Sequence, residues 1–174
     1  KDFKYNIAFY SSLSRSKETL NIICKKLKFP PKNELNDLII ERGYGIFEGL
    51  TNDEILIKHK NLYIEWCSNE NIPIKNAETI DNVIRRIKKF LGEMVNSDYK
   101  DILVVTHSGV LFALYKFIKK MDLGIRPKNI NFENCSSNIL KINIDNDFIN
   151  LEMSIGNQTY INRCCPTKEI ISNT

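Results

Sequence analysis

Two periods of apolar residues run along this chain, and the switches between them predict its elements. Tyr5 to Ser11 (YNIAFYS) is short, aromatic and suited to extended backbone, so a strand is expected there. Leu20, Ile23, Cys24 and Leu27 then fall on one stripe of a helix that Pro30 and Pro31 end. Leu38 to Ile40 reads as a short apolar strand. Thr51 to Glu54 has capping-box spacing, so a helix should start at Asn52 and run through Ile55, Leu56 and Leu62 toward Trp66. Ile80, Val83, Ile84, Ile87, Leu91 and Met94 form the stripe of a helix across 78–95, with Arg85, Arg86, Lys88 and Lys89 facing elsewhere. Ile102 to Val105 is a continuous apolar run, as expected of a strand covered on both faces. Val110, Leu111, Leu114, Phe117 and Ile118 return to helical spacing. Leu140, Ile142 and Ile144 alternate with polar residues, and Ile149, Leu151, Met153 and Ile155 alternate again after the turn residues Asp145-Asn146-Asp147. Those last two strands read as a hairpin.

Strands alternating with helices describe an α/β chain. No repeat, linker or low-complexity tract interrupts it, so residues 1–174 are expected to be a single domain. A net charge of +4 is carried by dispersed basic residues, which read as solvated helix faces and give no nucleic-acid stripe. The five cysteines are odd in number and lack framework spacing, which points to a reducing compartment and a cytoplasmic location. Cys164 and Cys165 are adjacent, which is not a zinc spacing, and two histidines cannot build a His-rich metal site. No metal or cofactor is therefore expected. No apolar run reaches the length of a membrane span, so no membrane partner is expected either. The oligomeric state is left open, a dimer included.

Four stretches carry candidate chemistry. In the first, His107-Ser108-Gly109 forms a turn between strand and helix, where unpaired N–H groups at a helix start suit an anion. Arg15 would lie in the first turn of its helix, where a positive charge opposes the helix dipole unless an anion is shared. Ser11 and Ser12 before it are candidate N-caps. Glu41-Arg42-Gly43-Tyr44-Gly45 sits in a glycine-rich loop, an unusual place for a carboxylate beside a guanidinium. Glu78, at a helix start, suits the dipole there. His59 lies between lysines on its helix and reads as a surface residue.

Taken in order, YSSLSRSKETLNII, ERGYGIFEGLTNDEI, NAETIDNVIRRI and VVTHSGVLFAL resemble the histidine phosphatase superfamily, the phosphoglycerate mutase-like clan. NCSSNILKINID and its hairpin partner resemble that family's final strands, so the likeness runs from about Tyr5 to Asn157. It implies a three-layer α/β/α domain around a mostly parallel sheet. It also implies roles. Arg15 would grip the phosphate, and His107 would bond a phosphoryl oxygen in the transition state. Glu41 would be the general acid, with Arg42 and Ser108 as further substrate contacts. The implied substrate is a phosphorylated small molecule or a phosphoprotein.

The chain departs from the family's pattern in one respect. The family's nucleophile is a histidine in an Arg-His-Gly motif on the first, central strand, and no such motif occurs here. That strand and the first helix are expected to be missing from this stretch of sequence, which would open the middle of the sheet. The intact protein is expected to be a phosphomonoesterase acting through phosphohistidine. A catalytically inactive phosphate-binding pseudo-phosphatase and a phosphoglycerate mutase are the alternatives. ERxYG is mutase-like, but residues 50–77 are shorter than a mutase insertion and lack its arginine cluster.

Overall fold

The computed structural model describes residues 4–127, 130–145, 148–155 and 158–166, of which side chains 145, 158 and 161–166 fall outside the description. The Cys164-Cys165 pair is among the latter.

Strand β1 (Ile7–Tyr10) is the middle of a parallel sheet, with β2 (Lys32–Leu35) on one side and β3 (Ile102–Val105) on the other. Its apolar sequence explains the central place, since Ile7, Ala8 and Phe9 are all buried. Helix α1 (Ser14–Lys26) crosses from β1 toward β2 and buries Leu20. β2 is the polar segment KNEL, a solvated edge. Residues 38–40, expected as a strand, instead end a 3-10 turn at Asp37–Ile39, with Asn36 capping its start and Ile40 following it as the C-cap. The ladder position went to the more polar run, because an outer strand needs little apolar surface.

Helix α2 (Asn52–Ser68) starts with the expected capping box of Thr51 and Glu54 and is kinked at His59. Helix α3 (Ile80–Val95) buries the predicted stripe together with Phe90. Phe90 and Met94 pack on Ile7 and Phe9, closing one face of the parallel sheet. Helix α4 (Ser108–Lys119) follows β3. With α3 it builds the main core against a second sheet, β4 (Asn138–Asp145), β5 (Phe148–Ile155) and β6 (Gln158–Pro166). That sheet is antiparallel in the order β4-β5-β6, so the expected hairpin gains a third strand. Among the described residues no helix is long and apolar enough to cross a membrane.

The two sheets are separate, and β3 is an edge. It is not covered on both faces as expected: none of its residues is fully buried, and Val104 is 36% exposed. The reason is physical: among the described residues no strand pairs with its outer side.

A third cluster lies over the sheet ends, where Phe47, Ile55, Trp66 and Ile74 form a small cap core. Its anchor is an ion pair inside the protein. Lys116 of α4 is wholly buried and bonds the Glu70 carboxylate and the Leu123 carbonyl. The Glu70 amide donates to the Gly124 carbonyl at 2.9 Å. Lys116→Ala strands a buried carboxylate, so urea unfolding should show a loss of about 3–5 kcal/mol. A Lys116→Met, Glu70→Leu double variant should recover most of it.

Candidate functional site

Glycine at position 109 allows the site to form. The Gly109 amide donates to Glu41 Oε1 at 3.0 Å. A Cβ there would stand 2.4 Å from that oxygen, 3.0 Å from the Tyr44 hydroxyl and 3.1 Å from Arg42 Cβ. The loop of residues 41–45 therefore lies directly on the start of α4. Gly45 makes a second close approach, with φ of +56° and its Cβ position 2.1 Å from the Lys75 carbonyl oxygen. The Glu78 amide donates to the Gly43 carbonyl at 2.8 Å and ties the loop to the entry of α3.

Glu41 Oε1 also accepts the Arg42 amide at 2.9 Å. Two N–H groups occupy that oxygen, so the proton of the neutral acid belongs on Oε2, which has no hydrogen bond among the described residues. Burial raises the Glu41 carboxyl above the usual carboxylate range, against the pull of the two amides and of the Arg15 and Arg86 charges.

His107 stands at the N-cap of α4 in extended backbone. Its Nε2 lies 2.8 Å from Ser11 Oγ, and both residues are buried. Ser11 is thus no N-cap, and Leu13 holds that position. Burial, then Arg15 and Arg86, lower the imidazole to about 4, so it is neutral near pH 7. A neutral ring carries one N–H. If Nε2 bore it, the Ser11 proton would have no acceptor among the described residues in a site where Ser11 is 0% exposed. The hydroxyl therefore donates to Nε2, and Nδ1–H is the free donor of the ring. The Ser11 amide in turn donates to Ser16 Oγ at 3.1 Å, and Ser16 Oγ donates to the Val105 carbonyl at 2.9 Å.

Arg15 is exposed on the first turn of α1, and its charge acts on both Glu41 and His107. The three side chains the sequence singled out therefore share one mouth at the carboxyl ends of β1 and β3. Ser108 opens α4, exposed and without a hydrogen bond from its side chain among the described residues. Arg42 is 6% exposed, and its Nε donates to the Glu78 carbonyl at 2.9 Å. Glu78 lies before the Thr79 N-cap, not in the first turn, and its carboxylate is held by Arg86 at 2.8 and 3.0 Å. His59 is half-buried against the Phe47 ring at 5.9 Å, away from the expected surface position.

Sequence reasoning passed over Ser11 and Arg86. Ser11 precedes a helix and reads as a cap. Arg86 borders the apolar stripe of α3 and reads as solvated, yet its fork spans Glu78 and the Leu38 carbonyl. A guanidinium flanking such a stripe, eight residues beyond a carboxylate, was the available signal.

Comparison with known proteins gives the same family. The model of the histidine phosphatase superfamily (branch 1) matches residues 1–152. The phosphatase PhoE of Bacillus subtilis is 31% identical over 142 residues, covering 80% of this chain and 66% of that protein. The 2,3-bisphosphoglycerate-dependent phosphoglycerate mutase of Cytophaga hutchinsonii is 27% identical, covering 70% of this chain and 59% of that protein. The chain thus spans about three-fifths of the length of the curated relatives it matches. The structure of a mycobacterial glucosyl-3-phosphoglycerate phosphatase complexed with VO3 superposes with a TM-score of 0.73 at 18% identity, over 88% of this chain and 77% of that one.

With only two histidines, the ring assignment is directly observable. Long-range proton–nitrogen NMR at pH 7, with His59→Gln to assign the peaks, should show His107 as the Nδ1–H tautomer, and Ser11→Ala should mix the tautomers. The ring should titrate near pH 4. Unfolded His107 takes a proton near pH 6.5, so its contribution to stability is whole above that pH and is lost as pH falls toward 4.

Proposed function

The chain belongs to the histidine phosphatase superfamily, branch 1, and from that premise we propose that the intact protein hydrolyses phosphomonoesters through a phosphohistidine intermediate. The observation that carries the reading is the meeting of Glu41, His107 and Arg15 at one mouth of the sheet. The phosphoryl group is held by the Arg15 guanidinium, by His107 Nδ1–H and by the free amides at the start of α4. In the transition state its negative charge spreads over three oxygens, where preorganised donors stabilise it.

The attacking histidine is neither of the two in this chain. His107 is committed to Ser11, and His59 packs on Phe47. The nucleophile therefore comes from outside these residues. Its ring nitrogen forms the bond to phosphorus as the bond to the leaving oxygen breaks. Glu41 Oε2 passes its proton to that oxygen, so an alcohol leaves. Water then attacks phosphorus, Glu41 takes the water's proton, the bond to histidine breaks and phosphate departs. The raised position of Glu41 suits both halves of this cycle. The substrate is taken to be a phosphorylated small molecule. Hydrolysis is favoured over mutase chemistry because residues 50–77 add no arginine cluster to exclude water.

Calorimetry with inorganic phosphate should detect binding by this chain, lost in Arg15→Ala and in His107→Ala. Unchanged affinity in both would remove those residues from the pocket. In the intact protein, Glu41→Gln should slow turnover of an alkyl phosphate by about 10²–10⁴-fold with little change in phosphate affinity. An intact protein that binds phosphate yet turns over no ester would instead be a pseudo-phosphatase.

A further inference from the structure

We propose that Arg86 is a positioning residue for the general acid: its guanidinium spans the two ends of the segment 38–43 that carries Glu41, and protonation of the leaving oxygen depends on that span. The inference rests on the phosphatase reading and assigns a further residue to its proton-transfer step.

The span is built from hydrogen bonds. Arg86 Nη1 donates to the Leu38 carbonyl at 2.7 Å. Nε and Nη2 donate to the two oxygens of the Glu78 carboxylate at 2.8 and 3.0 Å. Leu38 is one end of the segment. Glu78 governs the other, because its amide donates to the Gly43 carbonyl at 2.8 Å and its own carbonyl accepts Arg42 Nε at 2.9 Å. One planar group on α3 thus ties both ends. A guanidinium suits this task, since its donors diverge in a fixed plane, whereas a lysine ammonium is a point charge on a flexible stem.

The neighbouring residue supplies the contrast. Arg85 pairs with Asp81 where both side chains are more than half exposed, and such a pair holds little. The side chains of Arg86 and Glu78 are only 14% and 24% exposed, and their contact is bidentate.

Between the tied ends, the Ile39 carbonyl accepts Thr106 Oγ1 at 2.9 Å, and Glu41 Oε1 accepts the Gly109 amide at 3.0 Å. Gly109 lies in the first turn of α4, where a helix offers its own amides no acceptor. Among the described residues the Glu41 carboxyl is the partner of that amide. Exchange of the Gly109 proton with solvent therefore reads where the carboxyl stands.

The first test follows that exchange by NMR in this chain, against the amide of Leu114, which is inside α4. Arg86→Gln should raise the ratio of the Gly109 rate to the Leu114 rate by about tenfold, as expected for the loss of one hydrogen bond. Glu78→Gln keeps the shape of the partner, removes its charge and should raise the ratio by less. Arg86→Lys should restore only part of the wild-type ratio. An unchanged ratio in either glutamine variant that folds, or full restoration by lysine, overturns the span.

The second test reads the reaction in the intact protein. Propyl phosphate loses an alkoxide that must be protonated, and para-nitrophenyl phosphate loses a group that needs no proton. Arg86→Gln should lower kcat for the propyl ester by about 10²-fold with little change in KM and spare the nitrophenyl ester. Equal losses on both esters overturn the link to the acid. A wild-type protein that hydrolyses neither ester, in which Gly109 still answers to Arg86, overturns the phosphatase reading and leaves the span in place.

Discussion

The hydrogen bond from the Gly109 amide to Glu41 sets the geometry of the whole site. It is possible only because position 109 lacks a side chain, and it presses a loop of unusual backbone against the start of a helix. From that contact the rest follows. One carboxyl oxygen is consumed as an acceptor, which leaves the other to hold a proton. The loop continues into Arg42 and Tyr44, whose side chains reach the cap. The cap is fastened from below by Lys116 and Glu70, a pair costly to desolvate but more costly to break.

Electrostatics acts in parallel on two groups of the proposed site. Burial pushes the Glu41 carboxyl toward its neutral form, and burial with two nearby guanidinium charges pushes His107 toward its own neutral form. In the proposed cycle Glu41 would part with a proton and His107 would only share one. A Ser11 hydroxyl that donates to Nε2 leaves the ring hydrogen on Nδ1, the arrangement the proposed role requires. The positive charge that the proposed reading needs to hold a phosphoryl group would come from Arg15, which is exposed.

Much of this could be read in the residues themselves. Arg15, Glu41 and His107 sit in motifs whose types and order carry the chemistry, and the stripes of α3 and α4 gave the main core. What escaped did so for specific reasons. The KNEL strand is polar because an edge needs no apolar faces, so Leu38 to Ile40 looked the better candidate. Ser11 occupies a position where a cap is the ordinary reading, and its partner lies 96 residues away. Arg86 has no periodicity that marks it, since its place is set by the Glu78 carboxylate and the Leu38 carbonyl that tertiary packing brings near. The apolar run at 102–105 implied full burial, but a run shows what a strand tolerates and not which neighbours it has.

The two borders of the parallel sheet differ in chemistry. On the β2 side, Lys32 and Glu34 pair with each other in solvent at 2.6 Å, and charged side chains of this kind discourage another backbone from docking. On the β3 side the segment is ILVV, with no charge in it. One margin is passivated and the other is adhesive, so any strand joining this sheet, from the same polypeptide or from a neighbour, has a favoured direction of approach.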